Sequence, residues 1–221
     1  LTRAAFLGGG CSLVAASCGP RRTTFATRQV IDVVLLGGSL ALTSNGERPN
    51  DTIVFRAVRS AVEAKTPVRL TALAMPGASI ADVLRLQLPR IGPACRPDAF
   101  MIWTGRDDLS GSVDTASFAE DVDRLLSELS RRRAVVIVCS IPVELIVTSW
   151  DPESRGPARY LAGELNGSMA SLSATHGATF VPLAGSRSPA DAAAHVARAL
   201  QRVAARRGAR AGCSLLELDS P

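Results

Sequence analysis

What this chain of 221 residues lacks already narrows what it can be. Aromatic side chains are scarce, at 4%, which argues against a stacking platform for single-stranded nucleic acid. Lysine is nearly missing: of the 25 basic residues only Lys65 is lysine. The net charge of +5 is therefore an arginine charge. Those arginines are scattered along the chain rather than gathered on one face, so no nucleic-acid partner is expected. There are only two histidines, and no His or Cys cluster has metal-ligand spacing, so neither a metal nor another cofactor is expected. The body of the chain holds no apolar run of about eighteen residues, which excludes an internal membrane span. Hydrophobic residues, by contrast, make up 47% of the chain and charged residues 20%. That balance supports a sizeable core and argues against wholesale disorder, and the length suits one ordinary domain.

Residues 1–18 read as an export signal: Arg3, then an uncharged stretch with small residues before Cys18. The stretch is too short and too glycine-rich to span a membrane as a helix. Ala15-Ala16-Ser17-Cys18 resembles a bacterial lipobox without its usual leucine, and Thr2 to Leu7 resembles a twin-arginine signal with Ala4 in place of the second arginine. An ordinary cleaved signal or a frayed tail is the alternative. Acylation of Cys18 would place the protein on a membrane of the bacterial cell envelope. Residues 19–29 would then be a polar tether, with Arg21 and Arg22 near anionic head groups. Of the remaining cysteines, Cys139 ends an apolar run and is expected in the core, whereas the spacing supports no Cys95–Cys213 bridge.

From residue 30 onward, short apolar runs alternate with amphipathic stretches. Val30–Leu36, Val68–Ala74, Asp98–Trp103, Ala134–Cys139 and Ala178–Val181 predict strands too apolar to have a solvent face. Between and after them, helices are predicted over 50–65, 79–88, 115–131, 157–176 and 189–207. Ser79 is the expected cap of the second, Pro157 the first-turn residue of the fourth, and Gly177 the residue that closes the fourth. Strict alternation predicts a single doubly wound α/β domain over 30–207, with a five-stranded, mainly parallel sheet flanked by helices in a flavodoxin-like architecture. Residues 208–221 are left as a loose tail.

In such a sheet, ligands bind beyond the carboxyl ends of the strands. Gly37-Gly38-Ser39-Leu40 follows the first strand and offers a hydroxyl on a tight turn. Met75-Pro76-Gly77-Ala78-Ser79 follows the second, where a glycine lets a backbone N–H approach a substrate oxygen. Thr104-Gly105-Arg106-Asp107-Asp108 follows the third. Over residues 30–203 these blocks resemble the SGNH, or GDSL, hydrolase family. The resemblance implies carboxylic ester hydrolysis with Ser39 as nucleophile and Gly77 as an oxyanion N–H donor. It sets Asp107 at the position of the family's amide donor, and a small acyl ester or acylated carbohydrate as the ligand.

The same resemblance puts the catalytic Asp and His of the family on Gly185 and Ser188. Glycine has no side chain and a serine hydroxyl is no base near neutral pH, so Ser39 would remain a protonated, weak nucleophile. An ionised Asp107 accepts hydrogen bonds and would repel a developing oxyanion, whereas losing one donor alone costs about 100- to 1000-fold in rate. His195, with Asp191 four residues earlier, is the one candidate for a relocated base, although it matches the family's second, non-catalytic histidine. His176 reads as a helix-end residue and Asp107-Asp108 as a turn or cap. Arg131-Arg132-Arg133 reads as a helix end, and the arginines at 202–210 as a solvated helix end with anionic lipid as a lesser alternative. Three functions follow: a degenerate, lipid-anchored binding domain, an esterase with His195 as base, or a purely structural lipoprotein.

Overall fold

Five short segments pair side by side, all in one direction. The computed structural model describes residues 30–38, 53–64, 66–109 and 113–216; the expected signal and tether and the expected nucleophile Ser39 lie outside the described residues. Strands β1 (Ile31–Gly37), β2 (Val68–Ala72), β3 (Ala99–Trp103), β4 (Val135–Cys139) and β5 (Thr179–Val181) form one parallel sheet in the order β2-β1-β3-β4-β5. Parallel neighbours need a crossover between them, and helices supply it. These are α1 (Ile53–Glu63), α2 (Ile80–Asp82), α3 (Arg106–Leu109), α4 (Thr115–Ser130), α5 (Val143–Ile146), α6 (Pro152–Thr175) and α7 (Pro189–Leu216). α2 runs on through a π-helical stretch, Val83–Gln87, into a 3-10 turn, Leu88–Arg90. Two helical groups flank the sheet, α1 with α7 and α4 with α2 and α6. Strand order reverses at β1, with β2 on one side and β3 on the other, and that reversal opens a crevice at the carboxyl ends.

The core follows the apolar pattern closely. Leu35, Leu36, Phe100, Met101 and Ile137 of the central strands are buried, and so are Phe118, Val122, Leu125, Leu126 and Leu129 of α4. Cys139 lies among them, and burial pushes its thiol far above the usual range. One expectation about burial fails. β2 does have a solvent face, with Arg69, Thr71 and Ala72 exposed, because it is the edge strand and pairs only with β1. Val62 is 46% exposed while Ala57 and Ala61 are buried; one residue past Ala61 is about 100° further round the helix, off the sheet-facing stripe.

Helix ends also differ. Ser79 caps α2 as expected, with its hydroxyl accepting from the Asp82 N–H and the Asp82 carboxylate answering its own N–H. Gly177, at φ 66, follows the end of α6 as expected. α6 nevertheless starts at Pro152, leaving Pro157 inside it. Both prolines suit a first turn, and the earlier one takes it with Asp151 ahead of it. α7 continues to Leu216 instead of ending at Arg207, so the expected loose tail is largely helix.

Candidate active site

The three loops singled out by the sequence converge. Gly37, at φ 141, packs so tightly on β3 that a Cβ there would fall 1.9 Å from the Trp103 carbonyl oxygen. A buried amide holds the same residue: Gln87 accepts from the Gly37 N–H at 2.9 Å and donates to its carbonyl at 2.8 Å. At Gly38, the residue before Ser39, a Cβ would lie 2.3 Å from Asp107 Oδ2 and 2.5 Å from the Ala78 carbonyl oxygen. The β1, β2 and β3 loops therefore meet at Gly38, and the Asp107 carboxylate faces the backbone next to the expected nucleophile. Gly77, at φ 76, makes the turn ahead of Ala78 in a conformation that favours glycine. Asp107 and Asp108 form the first turn of α3, as the turn reading expected.

Asp108 is the group the sequence undervalued. Its side chain is buried and accepts from the Ile80 N–H with both oxygens, at 3.2 and 3.3 Å. Burial pushes its pKa up to about 6 against that hydrogen bond, and the charges of Asp107 and Asp82 act in the same direction as burial. Asp82 itself is held below the ordinary carboxylate range by the Ser79 hydroxyl and N–H and by Arg85. Gln87 was overlooked too, although its position seven residues after Ile80, on the stripe through Val83, was a sign of burial.

The loop after β5 does not assemble a catalytic pair among the described residues. Ser188 is the cap of α7: its hydroxyl accepts from the Asp191 N–H at 3.1 Å, and its carbonyl accepts from the Ala192 N–H at 3.1 Å. Asp191 Oδ2 accepts from the Arg187 N–H at 3.3 Å, and its Oδ1 stands 4.0 Å from His195 Nε2, beyond hydrogen-bond range. Gly185 has open space where a side chain would begin. His176 lies at the end of α6, just ahead of β5, with Nε2 2.7 Å from Asp123 Oδ1, at the opposite edge of the sheet.

Beside the convergent loops lies a cleft of about 770 Å³. Leu109, two residues after Asp107, forms one wall; Trp150, Pro157, Ala158 and Leu161 supply more apolar surface, and Asp151 and Glu153 a polar margin. Its other walls come from the segment that follows β4, where no motif marked them in the sequence.

A parallel sheet with the loops of three strands gathered at its switch point defines a doubly wound α/β protein with its site at the carboxyl edge. The chain belongs to the GDSL-like lipase/acylhydrolase family, the SGNH hydrolases, whose family model matches residues 35–202. Solved structures share the fold. The lipase/acylhydrolase from Enterococcus faecalis superposes with a TM-score of 0.58 at 19% identity, covering 80% of this chain and 96% of that one. AlinE4, an SGNH-hydrolase family esterase, gives 0.56 at 16% identity over 72% of this chain and 81% of its own. TesA gives 0.55 at 15% identity over 68% of this chain and 77% of its own. No curated protein matches the sequence.

Proposed function

We propose that this protein is an envelope lipoprotein carrying an SGNH domain that holds an acylated or carbohydrate ligand in the cleft beside Leu109 and turns it over weakly or not at all. Membership of the family supports an esterase or acylhydrolase type of site. The observation that carries the finer reading is the state of Ser188. At the position that the sequence resemblance assigns to the family's histidine, Ser188 carries a hydroxyl engaged in capping α7. No carboxylate can extend from Gly185, and Asp107 brings an acceptor where an amide donor belongs.

The test is hydrolysis of a short-chain chromogenic ester by the full-length chain, its Ser39→Ala variant and a Gly185→Asp/Ser188→His double variant. Near-background rates are expected for the first two and a clear gain for the third, because the backbone at Gly185 is open to a side chain. Strong wild-type turnover abolished by both Ser39→Ala and His195→Ala would overturn the proposal in favour of a relocated base.

A further inference from the structure

Arginines dispersed along the sequence meet at the amino-terminal edge of the sheet, opposite the candidate site. The turn before β4 brings Arg131, Arg132 and Arg133, the loop before β3 brings Arg96, and α7 brings Arg206 and Arg207. They line three adjoining hollows of about 390, 240 and 170 Å³, joined through Arg96, Pro97 and Arg133. Arg69 belongs to the same surface. Against these seven arginines the hollows hold three acids, and each already faces one of them. Arg69 stands 3.2 Å from Asp32, Arg207 pairs with Asp98 and Arg131 with Glu128.

Four guanidinium groups, those of Arg96, Arg132, Arg133 and Arg206, have no carboxylate partner among the described residues. Arg96 donates to the Pro93 and Cys95 carbonyls, and Arg132 to those of Ile91 and Gly92, which anchors the side chains without neutralising them. Arg133 holds φ 57, a conformation uncommon outside glycine, in the turn between α4 and β4. The chain enters the domain on this same face. Val30, whose carbonyl accepts from Arg207 at 2.8 Å, leads into β1.

We propose that this face docks on an anionic phospholipid bilayer, laying the amino-terminal edge of the sheet on the membrane and turning the candidate site away from it. The charge is spread over three shallow hollows rather than one groove, and no aromatic residue lines them. That suits a diffuse anionic plane better than a nucleic-acid strand, which calls for a continuous track and stacking surfaces. Each arginine close to such a bilayer multiplies partitioning by roughly fivefold, and the attraction fades within a Debye length. The proposal is independent of whether the site hydrolyses esters.

The test is flotation of the full-length, unacylated chain with vesicles of phosphatidylcholine, alone or with one third phosphatidylglycerol. Binding is expected to the mixed vesicles only, and to be released at about 0.5 M salt, where screening is nearly complete. Arg132→Gln/Arg133→Gln/Arg206→Gln is expected to weaken it roughly a hundredfold, the corresponding triple lysine variant to retain it within a few-fold, and Arg206→Gln alone to weaken it roughly fivefold. Arg206 is exposed on α7, so the single variant is safe for the fold. Equal binding to both vesicle types would overturn the proposal, as would wild-type binding by the glutamine variants. So would loss in the lysine variant equal to that in the triple glutamine variant. A duplex oligonucleotide that strips the chain from vesicles at equal phosphate concentration would overturn it in favour of nucleic acid.

Discussion

Asp108 shows how a single side chain carries the tension of this site. Its pKa, about 6 in the fold, lies above the ordinary 3.8 because burial penalises the ionised form. At low pH the group is protonated in both the folded and unfolded states, and nothing is lost. As pH rises past 3.8 the unfolded chain ionises first, while the folded chain still holds its proton. Stability therefore falls up to about pH 6 and stays lower above it. A rise of this size corresponds to about 3 kcal/mol. Asp108→Asn keeps an oxygen for the Ile80 N–H and removes the ionisation. Urea unfolding at pH 4 and pH 7 is expected to show the wild type losing on the order of 2 kcal/mol relative to the variant, since part of the effect is already present at pH 4. A constant difference between the two proteins would contradict a buried acid. The Asp-Asp pair was legible as a turn or cap, but which of the two is buried depends on α2 closing over Asp108, 28 residues from the Ile80 N–H it receives.

Among the elements, α7 is the one whose role changes with the structure. In sequence, Ser188-Pro189 looks like the place where a catalytic histidine has been lost. In the fold it is a helix start, with Ser188 as cap, Pro189 in the first turn and Asp191 closing back on Arg187. Ser188→Ala is expected to cost about 1 kcal/mol of stability, read in thermal melts, and to leave ester turnover unchanged. A change in turnover with no loss of stability would give Ser188 a part in chemistry instead. The five strands and the longer helices were legible because apolar periodicity separates buried strands from amphipathic helices, whereas the short helices Arg106–Leu109 and Val143–Ile146 fell in stretches read as turn or loop. Ends were less so. Pro152 and Pro157 are locally equivalent starts for α6, and α7 runs past Arg207 to Leu216, a continuation that the glycines at 208 and 212 did not announce.

Across the whole molecule, Gln87 joins the two halves of the site. It reaches from the π-helical stretch to both polar groups of Gly37, fifty residues away in sequence, with no solvent exposure. Gln87→Leu would leave a buried N–H and a buried carbonyl without that partner, so a loss on the order of 3 kcal/mol is expected in urea unfolding. An unaffected midpoint would mean that water replaces the amide. The two edges of the sheet also divide the molecule, with the loops of the candidate site at the carboxyl ends and the arginines at the amino ends. The sequence by itself determined the doubly wound architecture, the strands and the family. Period, turn residues and residue type are local properties, and a linear chain displays them. Only the tertiary structure decided that Asp107 presses on Gly38, that Asp108 is buried, and that arginines scattered in sequence form one face. Each of these is a distance between segments far apart in the chain, set by parallel crossovers that carry strand ends from separate regions to a common edge.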